Sequence, residues 1–300
     1  MIELHSVTLA DKSWIDPLVW AEASSSADFN FGNIYLWDRS FRQLVGELGG
    51  RVIVLPCYDD TPFFAYPVGT GELAPVLKQM EAHARESGFP FTLRGVTKDH
   101  IPLVEEVYPG RCEVISERPL WDYIYSAEKL ATLAGKHLHG KRNHINRFEA
   151  ENNWSFAPLT AADFPECEAL LDEWLSENPE DLDAGAADEH MAIRRAFEHF
   201  DALGLMGGIL RVDGKAVAFT MGEPVCAHTF VVHFEKARAD INGAYPMINR
   251  EFVRLIRERF PDTVWINRED DMGLDSLRQS KESYHPDHMV EKYTVVIRDE

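Results

Sequence analysis

The stretch at 135–148, GKHLHGKRNHINRF, sets Lys136, Lys141, Arg142 and Arg147 beside His137, His139 and His144, in a chain whose formal net charge is -20. A helical wheel over 128–151 places Leu130, Ala134, Leu138, Ile145 and Phe148 on one face, with Lys141 in its middle and Arg142 at its edge. An ammonium buried without a partner is costly. Lys141 must therefore meet a carboxylate, snorkel to water or face a cavity holding an anion. Arg142 offers a planar fork suited to a phosphate, and Asn143 beside it is a further substrate-binding candidate. Downstream, alternation along AHTFVVHFEKA puts Thr229, Val231, His233 and Glu235 on one face. Glu235 and His233 are candidates on that face, His233 for substrate binding. In WINREDDMGL a strand gives way to a helix, and Asn267, Glu269 and Asp270 stand at the join. The helix that follows places Leu274, Leu277, Lys281 and Tyr284 on one stripe. Lys281 could offset charge on a donor phosphate or a developing oxyanion.

Each of these residues has a plainer reading. Glu235 could pair with Lys236 or Arg238, Asp270 could cap a helix, and Tyr284 could be a packed core side chain. The histidines, with HPDH at 285–288, do not have the spacing of a helical metal pair, and no metal site is expected. The four cysteines, Cys57, Cys112, Cys167 and Cys226, form no CxxC pair, which argues against a zinc site or a disulfide framework.

The elements that must carry these residues are legible in outline. The chain has 300 residues, 45% hydrophobic and 27% charged, enough for two domains with real cores. Neither a signal peptide nor a membrane-length apolar run is found, and a cytoplasmic location is expected. The acidity is uneven. Thirteen Asp or Glu stand against Arg194 and Arg195 in 159–201, the pattern of a solvated helical face. Such a surface argues against a general nucleic-acid coat, but leaves room for a local anion site, because an anion responds to the nearby field.

The first 125 residues alternate strands and helices, with a hairpin turning at Gly49-Gly50 and a helix stopping at Gly88. The second half runs strand, two helices around an acidic loop (ENPEDLDAGAADE), three antiparallel strands with a turn at Asp213-Gly214, then helix, strand, helix and a last strand, VEKYTVVI. The expected fold class is α+β, in two units at 1–125 and 154–300 joined by a basic helix at 126–153. The order of the second half is that of the GNAT acyltransferase fold.

Three stretches add a more specific signal. DYIYSAEKLATLAGKHLHGKRNHINRF, WINREDDMGLDSLRQSKESYHP and EKYTV resemble a bacterial family of unknown function grouped with the C-terminal domain of phosphatidylglycerol lysyltransferase. The KR..I..F core is also similar to peptidoglycan-bridge aminoacyltransferases of the Fem type. The resemblance covers nearly the whole chain and implies two tandem GNAT-like units. It also implies aminoacyl transfer from a charged tRNA to an amine or hydroxyl acceptor, a small molecule or a peptide.

By the same resemblance, Glu235 is the candidate general base, and Tyr284 is the candidate acid to the leaving group. The GNAT pyrophosphate loop should fall at KARADINGAYPMINREF, with Gly243 and Ala244 as the cofactor-binding residues. There Ile241 stands in place of a glycine, and the missing glycine weakens a coenzyme A reading, because glycines let backbone N–H groups approach the pyrophosphate. No cofactor is required on this reading. Aminoacyl-tRNA, gripped at its acceptor end, or acyl-CoA would be the co-substrate. The rival functions are a coenzyme A-dependent N-acyltransferase and a catalytically inactive ligand-binding module.

Overall fold

The computed structural model describes residues 1–177 and 184–299, with the side chains of 174–186 left aside. The chain divides into two compact units, and the division does not follow chain order. The first holds residues 1–122, 270–275 and 289–300; the second holds 123–269 and 276–288. The segment expected to join the units, 126–153, belongs to the second, and the final strand expected there belongs to the first. That strand, Lys292–Ile297, pairs antiparallel with both Thr92–Thr97 and Cys112–Ser116. An alternating strand fits either sheet by pattern alone, so its neighbours are set by non-local pairing.

In the first unit, Leu44–Leu48 and Arg51–Leu55 form the expected hairpin, with Gly49 and Gly50 both at positive φ as a primed two-residue turn requires. The helix Leu73–Ser87 ends on Gly88 in the left-handed conformation. Lys292 is buried in this unit against Asp28 and Asp122, which raise its pKa in spite of the burial.

In the second unit six strands of the seven-stranded sheet follow one another, in spatial order, as Trp154–Pro158, Met206–Val212, Lys215–Cys226, Thr229–Ala237, Trp265–Asn267 and Asp122–Ser126. Asp213 and Gly214 make the expected turn between the second and third of these strands. Phe219 meets Phe197 of the helix Ala184–Glu198 on one face of the sheet. On the other face Phe230 meets Phe252 of the helix Ala244–Arg259. The acidic loop expected between the earlier helices, 177–189, falls in part on residues 178–183, outside the described residues, and the helix Ala184–Glu198 takes up its second half. Among the described residues, no helix is long and apolar enough to cross a membrane.

Two local irregularities decide the geometry of the site. The single helix expected over 128–151 is two helices, Ala127–Thr132 and His139–Glu151. Leu133 and Gly135 between them lie at positive φ, which ends the first helix and re-aims the second. Ala134 is therefore exposed, whereas Leu130, Leu138, Ile145 and Phe148 are buried as expected.

The second irregularity is a bulge in the strand Thr229–Ala237. Val232 pairs with Gly222 but Phe234 pairs with Met221, so His233 is the extra residue. A bulge reverses the alternation beyond it. Glu235 therefore does not share a face with Thr229 and Val231. It lies on the face of the helix Ala244–Arg259, where Asn249 donates to it.

Candidate functional site

Thr229–Ala237 and Trp265–Asn267 run parallel, and their pairing spans only Thr229↔Trp265 to Val231↔Asn267. Beyond that point the first strand continues while the second turns away through Arg268 and Glu269. Parallel strands that part at their C-terminal ends leave a crevice of the kind where α/β proteins place ligands. Here side chains bridge the gap. Arg268 Nη2 donates to Glu235 Oε1 at 2.9 Å. Asn249 Nδ2 holds the other carboxylate oxygen at 3.1 Å. His233 Nδ1 meets Glu269 at 2.8 Å and its Nε2 meets Glu223 at 3.1 Å.

The Arg268–Glu235 pair is nearly enclosed, with side chains 10% and 9% exposed. Its remaining terminal nitrogen, Arg268 Nη1, is buried and has no hydrogen-bond partner among the described residues; nor has Asn249 Oδ1. Such orphaned groups are uncommon in folded proteins. Arg268 lies 4.9 Å from the centre of the Tyr284 ring. Lys141 stands over the same ring at 4.1 Å.

The helix His139–Glu151 explains how Lys141 arrives there. Ile145 and Phe148 are buried four and seven residues on, so Lys141 is carried on the packed face. It is half-buried, and it makes no ion pair or hydrogen bond among the described residues. Burial pulls its amine down to about 8, Arg268 pulls further and Glu235 opposes both. Tyr284 is buried, and its hydroxyl likewise has no hydrogen-bond partner among the described residues. Burial raises its pKa, so the phenol keeps its proton at any physiological pH.

The other expected site residues fall into distinct places. Lys281 is buried as the apolar stripe implied, and its Nζ donates to the Arg268 carbonyl at 2.5 Å. Tyr125 donates to the Lys281 carbonyl in turn. These contacts hold the Arg268 backbone. Leu274, on the same expected stripe, is exposed.

His233 is enclosed between two carboxylates. Burial works against its charged form, but Glu223 and Glu269 outweigh it and raise the ring to about 9. It therefore ties Glu269 down and is only 1% exposed in its side chain. Asn267 is buried and accepts from the Glu269 amide. Asp270 lies in the other compact unit, where its charge adds to the field at Lys292.

Arg142 is braced through one of its terminal nitrogens. Its Nη1 donates to the carbonyls of Leu133 and Gly135, bracing the turn between the two helices. Asn143 is exposed and pairs with His139 one turn away. Gly243 packs against the helix His139–Glu151: a Cβ on it would lie 2.6 Å from the His144 carbonyl oxygen. Its φ of 90° also favours glycine. Ala244 beside it is fully buried and opens the helix Ala244–Arg259. Neither surface partner expected for Glu235 is used, since Lys236 pairs with Glu189 and Arg238 with Glu173.

Two residues that complete the site were not among the candidates. Arg268 stood inside a quoted stretch, between Asn267 and Glu269, and was not singled out. Asn249 carried a visible signal, lying three and four residues before the buried Phe252 and Val253, a polar residue on an apolar stripe.

A family model for the C-terminal domain of phosphatidylglycerol lysyltransferase matches residues 21–296. The chain belongs to that family. A solved structure of a conserved protein of unknown function from Bacteroides thetaiotaomicron is 36% identical to this family member, with a TM-score of 0.95 over 99% of this chain and 100% of that one. The C-terminal domain of a putative lysylphosphatidylglycerol synthetase from Agrobacterium fabrum has a TM-score of 0.68 at 16% identity, over 96% and 92%. FemX has a TM-score of 0.62 at 8% identity, over 99% and 97%. A tandem GNAT protein from the clavulanic acid biosynthesis pathway has a TM-score of 0.50 at 11% identity, over 98% of each chain, and the fold is the tandem GNAT-like one expected. An uncharacterised protein of Mycoplasmoides gallisepticum is 24% identical over 192 residues, 62% of this chain, and the match spans 58% of that protein's length.

Proposed function

We propose that the second unit transfers an aminoacyl group from an aminoacyl-tRNA to an amine or hydroxyl acceptor. The observation that carries the reading is an excess of cation in an enclosed place. Lys141 and Arg268 flank Tyr284, whereas Glu235 is the carboxylate that answers them and it is already held by Arg268 and Asn249. Attack on an ester carbonyl moves negative charge onto its oxygen. Preorganised donors in a low-dielectric site stabilise that oxygen more than they do the ground state. The half-buried Lys141 ammonium is the group available for this, and the buried charge of Arg268 adds to the field at the same place.

Glu235, with both oxygens engaged, is better suited to fixing Arg268 than to taking a proton. The neutral fraction of Lys141, whose amine sits at about 8, suits proton removal from an attacking amine. Tyr284 stays protonated and suits protonation of the leaving oxygen. Lys281 acts through the Arg268 backbone.

Family membership and the filled turn at Gly243 favour a charged tRNA over coenzyme A as donor. The net charge of -20 limits how much of a tRNA body this surface can hold, so the contact is expected at the acceptor end.

The test uses the full chain with charged tRNA and, separately, with acetyl-CoA, each with amine acceptors and at low and moderate salt. Transfer from charged tRNA that drops by about a hundredfold or more in Lys141→Met and Arg268→Gln supports the reading. Saturable, salt-insensitive acetyl-CoA binding with no tRNA binding at low salt would assign the donor to coenzyme A. Ligand binding without transfer from either donor would make the unit a binding module.

A further inference from the structure

The lysines of this chain differ in what holds them. Six of the ten make ion pairs with Asp or Glu, and Lys281 is tied to a backbone carbonyl. Lys136 and Lys215 are exposed to water. Lys141 alone among the described lysines is half-buried with neither ion pair nor hydrogen bond. It stands over an aromatic ring beside a buried arginine with a vacant N–H. A lysine desolvated next to another cation is the setting in which this side chain becomes a nucleophile.

We propose that Lys141 is a site of covalent modification by acyl thioesters, and that acylation there switches off the anion-stabilising site. The proposal rests on the reading above only for its second half. In the reaction the neutral Nζ attacks the thioester carbonyl carbon. The N–C bond forms and the C–S bond breaks. The thiolate leaves, and the proton lost from Nζ passes through solvent to the thiolate. The buried charge of Arg268 favours the negative oxygen of the tetrahedral intermediate. The product amide carries no charge, so the site keeps Arg268 balanced by Glu235 and loses its excess cation.

The experiment treats the folded full chain with acetyl-CoA and, in parallel, with S-acetyl-N-acetylcysteamine, a thioester without the nucleotide. Acetylated positions are located by peptide mass mapping at several pH values. The expected result is labelling of Lys141 about tenfold or more faster than Lys136 and Lys215 at neutral pH. Its rate should level off above pH 8, while the exposed lysines keep rising. Arg268→Gln should slow the Lys141 reaction and leave the other two unchanged. Labelling by both thioesters, or by acetyl-CoA alone, supports the reactive amine. Equal labelling of the three lysines, or none at Lys141, overturns it.

The acetylated protein is then assayed for transfer from charged tRNA. Unmodified protein that transfers, with no label at Lys141, sinks the modification alone. Selective label on a protein that transfers nothing sinks the transfer reading alone. Label on Lys141 with transfer undiminished refutes the switch.

Discussion

Arg268 and Glu235 meet at 2.9 Å just past the point where their two parallel strands cease to pair. A side-chain ion pair thus replaces the missing backbone ladder and holds the strand ends at a fixed separation. Removing one partner of a buried pair strands the other's charge. Glu235→Ala is expected to lose about 3 kcal/mol of stability, measured as a fall in the urea midpoint. Glu235→Ala with Arg268→Leu should recover most of it. A single variant as stable as wild type would show that water reaches the pair freely.

Lys141 makes stability depend on pH in a specific direction. Its amine sits at about 8 in the folded chain and near 10.4 when unfolded. Between these values the unfolded state holds more protons, so stability rises with pH. Below pH 8 the cost of the half-buried ammonium is fully present. Lys141→Met is therefore expected to raise Tm at pH 7, with the gain shrinking toward pH 10. A gain that does not change with pH would point to packing instead of charge.

His233 acts with the opposite sign. Its ring is raised to about 9 from an unfolded value near 6.5. The stability it contributes is complete below about pH 6.5 and disappears as pH rises through 9. His233→Gln should cost most at pH 6 and least at pH 9.5. Thermal unfolding of both proteins across that range is the check.

Gly243 couples the site to its supporting helix. Ala at 243 would need φ of 90° and would drive its Cβ against the His144 carbonyl. A loss of about 2 kcal/mol is expected. Because the helix His139–Glu151 must move to relieve the clash, transfer activity should fall further than it does in a surface variant of equal stability.

Arg142 should prove structural. Arg142→Ala removes two bonds to backbone carbonyls and is expected to cost about 1 kcal/mol. Affinity for inorganic phosphate, measured by calorimetry, should not change; a clear loss would restore the phosphate-binding reading of its guanidinium.

Much of this fold could be read from local pattern. Gly49-Gly50, Asp213-Gly214 and Gly88 each announced a turn or a stop, because the residue type itself permits the backbone conformation. Lys141 and Lys281 were visible as cations on apolar stripes. What escaped were features made by register. No residue between Val232 and Phe234 signals that His233 is extra, since the bulge depends on how Gly222 and Met221 pair across the sheet. That single shift moved Glu235 to the face of Asn249 and away from its expected neighbours. Arg268 escaped for a related reason: its burial comes from the strand beside it and from Tyr284, both distant in the chain.

The placement of Lys292–Ile297 between Thr92–Thr97 and Cys112–Ser116 bears on biosynthesis. A ribosome releases the two outer strands almost two hundred residues before the one that joins them. Throughout that interval the nascent first unit exposes two unpaired strand edges, the feature that seeds association between chains. Lys292 also arrives last, so Asp28 and Asp122 wait without their shared counter-ion. A message cut short before codon 292 would yield a second unit able to form its own sheet, attached to a first unit that stays open and prone to chaperone capture.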